Sequence, residues 1–184
     1  MKKVKFLSTV VLATLLFTAC SKDDDNPEPV NEEEVLTTMT ITLSPQAGGN
    51  PIILQTRDLD GDGPNAPVVT VSGSLTTGAL YNGSIVLLNE TVNPPENITE
   101  EVEEEDEDHQ FFYTIGGGID VTTAYTNFDD DGNPLGTQFS LTAGAASSGT
   151  LTFTLRHLPT KPNTGLGDAG GETDVAATFN VTVQ

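Results

Sequence analysis

The sequence predicts an all-β domain: an antiparallel β-sandwich of immunoglobulin-like type, with one acidic insertion that is either helical or a loop. Apolar and polar residues alternate with a period of two along most of the chain, which is typical of half-buried strands. The segments are short, rich in Thr and Val, and separated by Gly and Pro. Because they do not alternate with helical segments, a sandwich fits better than an α/β fold. A closed barrel is the main alternative.

The predicted strands can be placed in order along the chain. Leu36 to Leu43 opens the domain, and a Gly-rich turn leads to its hairpin partner, Ile52 to Thr56. The run Gly116 to Gly118 indicates a strand break or bulge. Asp174 to Gln184 closes the domain with the cleanest alternation in the chain. The remaining strands are expected at residues 68–71, 80–88, 111–115, 119–125, 139–142 and 151–157.

The acidic insertion covers residues 94–109, where Asp and Glu dominate. Asn97, followed three residues later by Glu100, resembles a helix N-terminus. Glutamates four apart, such as Glu100 and Glu104, would repel each other along such a helix. We therefore expect a frayed helix or a mobile loop.

The N-terminus carries the pattern of a bacterial lipoprotein signal. Lysines at positions 2, 3 and 5 precede an apolar run that is too short to span a bilayer, and the run ends in LFTAC. Phe17 stands where this signal usually carries Leu. We expect residues 1–19 to be removed as a signal peptide and Cys20, the only cysteine, to be acylated and to hold the protein on a membrane.

Residues 20–34 are predicted to form an acidic, flexible tether, because this polar, proline-containing stretch has too few apolar residues to pack. The Asp cluster at 23–25 also resembles the export signal that carries lipoproteins of the Bacteroidota to the outer face of the outer membrane. A merely solvated tether is the alternative. Residues 35–184 are then a single domain.

The chain is strongly acidic, with 27 Asp and Glu against 7 Lys and Arg, and a net charge of −20. This charge argues against a nucleic-acid partner and against adhesion to anionic lipids by charge alone. It favours cations, basic partners or solubility outside the cell. With a single cysteine, the domain has no internal disulfide to rely on.

The sequence DLDGDG gives a calcium candidate formed by Asp58, Asp60 and Asp62. Alternate carboxylates followed by a glycine match the first half of a calcium loop. The second half is missing, because Val69 stands where an EF-hand has glutamate. A calcium ion would need a further carboxylate from another loop, and a polar turn between strands is the alternative.

A weaker calcium candidate comprises Asn127, Asp129 and Asp131, which alternate before a glycine in what is also a strong turn sequence. A third candidate pairs Glu105 with His109, which would share one helical face and take a divalent transition ion. A tight zinc site generally needs more than one His or Cys. A solvated acidic loop, or one that faces a basic partner, is the alternative for that segment.

Catalytic motifs are scarce. The sequence has no GxSxG-like serine elbow and no reactive cysteine beyond the lipidation site. Aromatic residues of the kind that line glycosidase clefts are few, and Trp is absent. We interpret His157 as a structural residue at a strand end. The sequence therefore favours a protein that is not an enzyme.

Four segments together resemble a family of uncharacterised flavobacterial lipoproteins: residues 22–25, RDLDGDGPNAPVVTVSG from Arg57, EEVEEEDEDHQFFY from Glu100, and the closing GGETDVAATFNVTVQ. The resemblance covers nearly the whole mature chain. Members often carry the label "type 1 periplasmic binding fold", whose two-lobed α/β architecture this strand-rich sequence does not support. Such lipoproteins are often found beside outer-membrane TonB-dependent receptors, which implies a role in capturing or handing over a nutrient or metal.

Two functions are therefore expected as alternatives. The first is an outer-membrane lipoprotein, exposed on the cell surface or alternatively facing the periplasm, that binds a ligand or divalent cation and works with a TonB-dependent transporter. The second is a structural or adhesive surface module whose loops are made rigid by calcium. The two differ in which ion matters and in which residues hold it.

Overall fold

The computed structural model describes residues 35–61 and 63–184, which belong to a single compact unit. The signal peptide, Cys20 and tether predicted for residues 1–34 lie outside the described residues, as does Asp62. No helix within the described ranges is long and apolar enough to cross a membrane. The elements are β1 (Thr38–Pro45), β2 (Ile52–Arg57), β3 (Val68–Val71), β4 (Leu80–Asn89), β5 (Glu96–Asn97), α1 (Ile98–Glu104), β6 (His109–Gly116), β7 (Val121–Tyr125), β8 (Gln138–Ala143), β9 (Ser147–His157) and β10 (Glu172–Val183).

The strands form two open sheets, which confirms the all-β prediction. The larger sheet has the order β3-β2-β1-β4-β8-β7, with β5 added to β4, and the smaller has the order β10-β9-β6. Neighbouring strands pair antiparallel in both sheets. Two separate sheets give the sandwich-like arrangement and not the closed barrel that was the alternative. The finer immunoglobulin-like type stays a prediction.

Aromatic rings join the two sheets at the centre of the domain. Phe139 of β8 lies 5.7 Å from Phe153 of β9 and 4.7 Å from Tyr113 of β6, measured between ring centroids. Phe139, Phe153 and Phe179 are almost fully buried. Each such side chain contributes roughly 1.5–3 kcal/mol through its removal from water. These contacts place the apolar core between the sheets.

The period-two alternation of β10 has the predicted consequence. Ala177, Phe179, Val181 and Val183 are buried, while the residues between them are exposed. The smaller sheet therefore packs one face on the core and leaves the other to solvent.

The acidic insertion differs from the expected frayed helix or mobile loop. Ile98–Glu104 is a formed helix, α1, whose Ile98, Thr99 and Val102 are buried. Thr99 Oγ1 accepts a hydrogen bond from the Leu87 backbone amide at 2.7 Å. This anchorage to β4 offsets the repulsion between the glutamates on the exposed face. Asn97 occupies the N-cap position without a side-chain cap, and its amide donates instead to the Glu100 carboxylate.

Candidate metal centre

The two histidines of the chain face each other across neighbouring strands. His109 is the first residue of β6 and His157 the last of β9, and the antiparallel register places them directly opposite each other. Their rings are stacked, with centroids 4.7 Å apart and planes inclined by 15°. The chain has only two histidines, so the fold brings its whole imidazole content to one end of the smaller sheet.

A bulge in β10 adds a carboxylate to this pair. Glu172 is the register partner of His157, and the pairing of β10 with β9 shifts between Thr173 and Val175. The residue at the shift is Asp174. A bulge re-aims a side chain, and here Asp174 Oδ1 lies 4.0 Å from His157 Nδ1. One ligand atom from each of His109, His157 and Asp174 lies within 4.8 Å of the other two.

The orientation of His109 is set by a backbone contact. Its Nδ1 lies 3.1 Å from the Glu105 carbonyl oxygen. Because a carbonyl only accepts, a neutral His109 ring carries its proton on Nδ1 and leaves a lone pair on Nε2. Metal-bound histidines commonly use such a partner on the second nitrogen. His109 is fully buried, whereas the side chains of His157 and Asp174 keep 13% and 14% of their surface exposed.

Two imidazole nitrogens and one carboxylate form a donor set suited to zinc and other divalent first-row ions. Calcium prefers oxygen ligands throughout. Ligands held about 2.0–2.2 Å from a zinc ion lie closer together than the three donor atoms do here. Zinc binding would therefore require the three donor atoms to move closer together. His157 and Asp174 are partly exposed, so their side chains have room for that movement.

Lys161 ties the centre to two neighbouring segments. Its ammonium donates to the backbone carbonyls of Asp106 and His109 and to Asp129 Oδ2, the last at 3.1 Å. The Lys161 and Asp129 side chains are only 7% and 1% exposed. A buried charge needs a partner and hydrogen bonds, and Lys161 supplies both to Asp129. The same ammonium fixes the backbone of His109.

The weaker calcium candidate has its oxygens engaged within the fold. The Asn127 side-chain oxygen accepts from the backbone amides of Gly136 and Gln138. Asp129 Oδ1 accepts from the Asn133 amide, and Asp129 Oδ2 accepts from Lys161. Asp131 is exposed. Of the three residues predicted to bind calcium, Asp129 is thus paired with the Lys161 ammonium, and calcium binding at this loop stays a prediction.

The pKa of Asp129 reflects these contacts. Burial raises the pKa, but the Asn133 backbone amide and the Lys161 ammonium lower it by more, so that the net shift is downward. Asp129 is therefore held ionised.

The stronger calcium candidate forms a polar turn. Asp58 Oδ1 accepts from the backbone amides of Asp60 and Gly61, and Asp60 Oδ2 accepts from the Asn65 side chain at 2.7 Å. The hydrogen bond from the Asn65 side chain is the main cause that lowers the pKa of Asp60. Because Asp62 lies outside the described residues, calcium binding at this loop stays a prediction.

The proposed geometry for Glu105 and His109 is wrong. The helix ends at Glu104, Glu105 is its C-cap, and His109 belongs to a strand. The two residues meet through the Glu105 backbone carbonyl and not as neighbours on one helical face. His157 does lie at a strand end, as predicted, but next to His109. Sequence reasoning missed His157 and Asp174 as candidate ligands. The presence of only two histidines was the available signal.

Comparison of the chain with protein-family models, curated protein sequences and solved structures finds no match. The resemblance to flavobacterial lipoproteins therefore stays a prediction from the sequence.

Proposed function

We propose that the protein is a non-catalytic metal-binding lipoprotein of the outer membrane, whose domain takes a divalent transition ion at His109, His157 and Asp174. One observation carries this proposal: both histidines of the chain, together with a carboxylate from a bulge, lie at one end of the smaller sheet. Cys20 and the apolar run before it support lipid anchorage. An outer-membrane transporter is the proposed partner that receives the ion.

The charge of the chain supports delivery of a cation. The net charge is −20, and exposed carboxylates of α1 and of the turn after it, including Glu104 and Asp108, precede His109 in the chain. A field of one sign raises the local concentration of the opposite ion and its rate of arrival. The acidic segment would thus attract ions, while the nitrogen donors would select among them.

The test is direct titration of the full chain with zinc, cobalt, nickel and calcium, followed by calorimetry. A Cys20→Ser background removes the only thiol, which would otherwise bind zinc by itself. We expect zinc and cobalt to bind in preference to calcium. Bound cobalt should give the visible absorption of an ion held by nitrogen and oxygen ligands.

Variants locate the ion. His157→Gln and Asp174→Asn change partly exposed side chains, and each should weaken zinc binding at least about tenfold, since even residues that only support ligands cost 10–100-fold. Asp108→Asn is the matched control: it removes an exposed charge next to His109 without removing a donor. Equal zinc affinity in all three variants would overturn the proposal. So would a wild-type chain that binds no transition ion.

A further inference from the structure

A cavity opens along β6, between this strand, the end of β7 and the loop of residues 163–166. It has a volume of about 250 Å³. Its lining shares no residue with the candidate metal centre. The volume is close to the lower end of the range of pockets that hold small organic molecules, roughly 300–1,000 Å³. A ligand smaller than a typical drug would fill it.

The cavity contacts side chains from both faces of β6. Tyr113 packs against the core, whereas Phe112 and Thr114 lie on the opposite face, because successive side chains of a strand alternate. All three line the cavity. A cavity that touches both faces of one strand lies at the edge of that strand. Here it is the edge of β6 that does not pair with β9.

The main-chain groups of Tyr113 point to this edge. The Phe111 amide donates to the Leu135 carbonyl at 2.7 Å, and the Phe111 carbonyl accepts from the Tyr125 hydroxyl at 2.8 Å, so both groups point away from β9. Every second residue of a strand directs its main chain to the same side, so the N–H and C=O of Tyr113 do the same. No described residue pairs with these two groups. They offer a ligand one donor and one acceptor.

Amide and hydroxyl side chains add to these main-chain groups. Gln110 lies on the outer face of β6 but is only 2% exposed, and its Oε1 accepts from Asn163 Nδ2 at 2.7 Å. Asn163 Nδ2 also donates to the Thr160 carbonyl at 3.0 Å. The amide and hydroxyl of Thr164 donate to the Asp168 carboxylate, which does not line the cavity. These bonds hold the polar wall in place before a ligand arrives, which lowers the entropic cost of binding.

The cavity is uncharged although the protein is strongly acidic. The net charge of the chain is −20, but the described lining contains no Asp, Glu, Lys, Arg or His. Burial raises the pKa of Tyr113 and of Tyr125, so both phenols are neutral at neutral pH. A charged ligand would lose hydration here without meeting an opposite charge. The cavity therefore favours a neutral ligand.

The apolar wall is partly aromatic. The rings of Phe112 and Tyr125 line the cavity together with Leu166, and the hydroxyl bond to Phe111 fixes the Tyr125 ring. The negative face of an aromatic ring attracts groups with positive edges, such as C–H groups. A sugar ring presents C–H groups on its face and hydroxyls around its rim, and each hydroxyl both donates and accepts. A sugar thus matches both walls of the cavity.

The open edge of β6 is too short for strand addition by a peptide. Leu135 and Tyr125 occupy the edge at Phe111, and β6 ends at Gly116. The stretch between them is shorter than a typical strand of about 5–6 residues. It therefore favours a small ligand over an extended peptide.

We propose that this cavity binds one neutral sugar unit. The C–H face of the sugar lies on the Tyr125 ring, and its hydroxyls bond to Asn163, Thr114 and the main chain of Tyr113. The site is independent of the candidate metal centre, and sugar binding needs no ion.

The experiment uses the full chain with Cys20→Ser in the presence of a chelator, so that its result does not depend on the metal centre. The probes are D-glucose, D-galactose, D-mannose and N-acetylglucosamine at millimolar concentration, followed by NMR. D-glucuronate and D-glucosamine are the matched charged controls. We expect at least one neutral sugar to bind about tenfold more tightly than either charged one, with chemical-shift changes at β6 and residues 163–166. No binding of any neutral sugar, or preferred binding of a charged one, would overturn the proposal.

Variants place the sugar in the cavity. Thr114→Val keeps the shape of an exposed side chain and removes its hydroxyl, and Asn163→Ala removes an amide. Each should lower sugar affinity about three- to tenfold, as the loss of one hydrogen bond does. Thr182→Val is the matched control, because Thr182 is an exposed threonine of the same sheet outside the lining. Unchanged affinity in both Thr114→Val and Asn163→Ala, or an equal loss in Thr182→Val, would exclude the cavity.

Discussion

Two acidic loops with closely similar spacing use their carboxylates in different ways. In the Asp129 loop, residues 127–134, the Asp129 carboxylate is buried and contacts the ammonium of Lys161. In the Asp58 loop, residues 58–65, the exposed Asp60 carboxylate accepts from the amide of Asn65. Burial makes the difference, because a buried carboxylate needs a charged partner while an exposed one keeps its hydration. The same spacing is therefore compatible with a buried ion pair to Lys161 in one loop and with an exposed carboxylate in the other.

The largest expected effect comes from removing the internal cation. Lys161→Met leaves Asp129 buried without its charged partner, and we expect a loss of about 3–5 kcal/mol in the free energy of unfolding. Urea unfolding measures it. Adding Asp129→Asn to the same chain should restore part of the loss, because the uncompensated charge is gone. A loss below about 1 kcal/mol in the single variant would mean that the pair behaves like an exposed ion pair.

Calcium should act on the Asp58 loop alone. If the loop binds the ion as predicted, calcium at a hundred times its dissociation constant should raise stability by about 2.7 kcal/mol over the chelated protein. Thermal unfolding in calcium and in chelator measures this.

Two variants assign the calcium effect to one loop. Asp60→Ala should abolish the rise, and Asp131→Ala, which changes an exposed carboxylate of the Asp129 loop, should leave it intact. The reverse result would transfer the ion to the Asp129 loop. No rise in the wild-type chain would remove calcium from both loops.

Lowering the pH should distinguish the two loops through a smaller change in the free energy of unfolding. The pKa of Asp129 is lower in the folded protein than its usual value, so its contribution to stability is complete above the unfolded pKa of about 3.9. That contribution is lost as the pH falls through the folded pKa. Urea unfolding between pH 7 and pH 2 should therefore show a shallower acid loss in Asp129→Asn than in the wild-type chain.

Asp60→Asn provides the exposed counterpart for the acid experiment. The pKa of Asp60 is also lowered in the folded protein, but solvent screens this exposed carboxylate. The Asp60→Asn variant should therefore change the acid loss of stability less than Asp129→Asn does. An equal change in both variants would contradict the role given to burial.

The strands were predictable because burial on one face imposes alternation on the sequence. β10 shows this most clearly, and β2 lies within one residue of its predicted bounds. The start of β6 was not predictable in the same way. The acidic residues before His109 suggested that this histidine belongs to a loop. It is instead the first residue of β6 and is fully buried.

The candidate metal centre depends on information that the sequence does not display locally. His109 faces His157 because β6 and β9 are neighbours in the sheet. The alternation within a strand does not indicate which other strand it pairs with. The bulge that turns Asp174 toward His157 is a shift of register between two strands, with no glycine at 173–175 to mark it. The pairing of Lys161 with Asp129 is equally non-local.

The smaller sheet is completed by β10, the last strand described, so the three donors of the candidate metal centre come together only once that strand has docked. A ribosome makes His109 and His157 before Asp174, and β10, which carries Asp174, is the last strand described. A partial chain that stops before β10 holds both imidazoles on β6 and β9 but lacks the carboxylate and the strand that pairs with the other edge of β9. The three candidate donors are therefore together only in molecules in which β10 has been made and has docked on β9, so an ion that needs all three would distinguish molecules with a docked β10 from those without it.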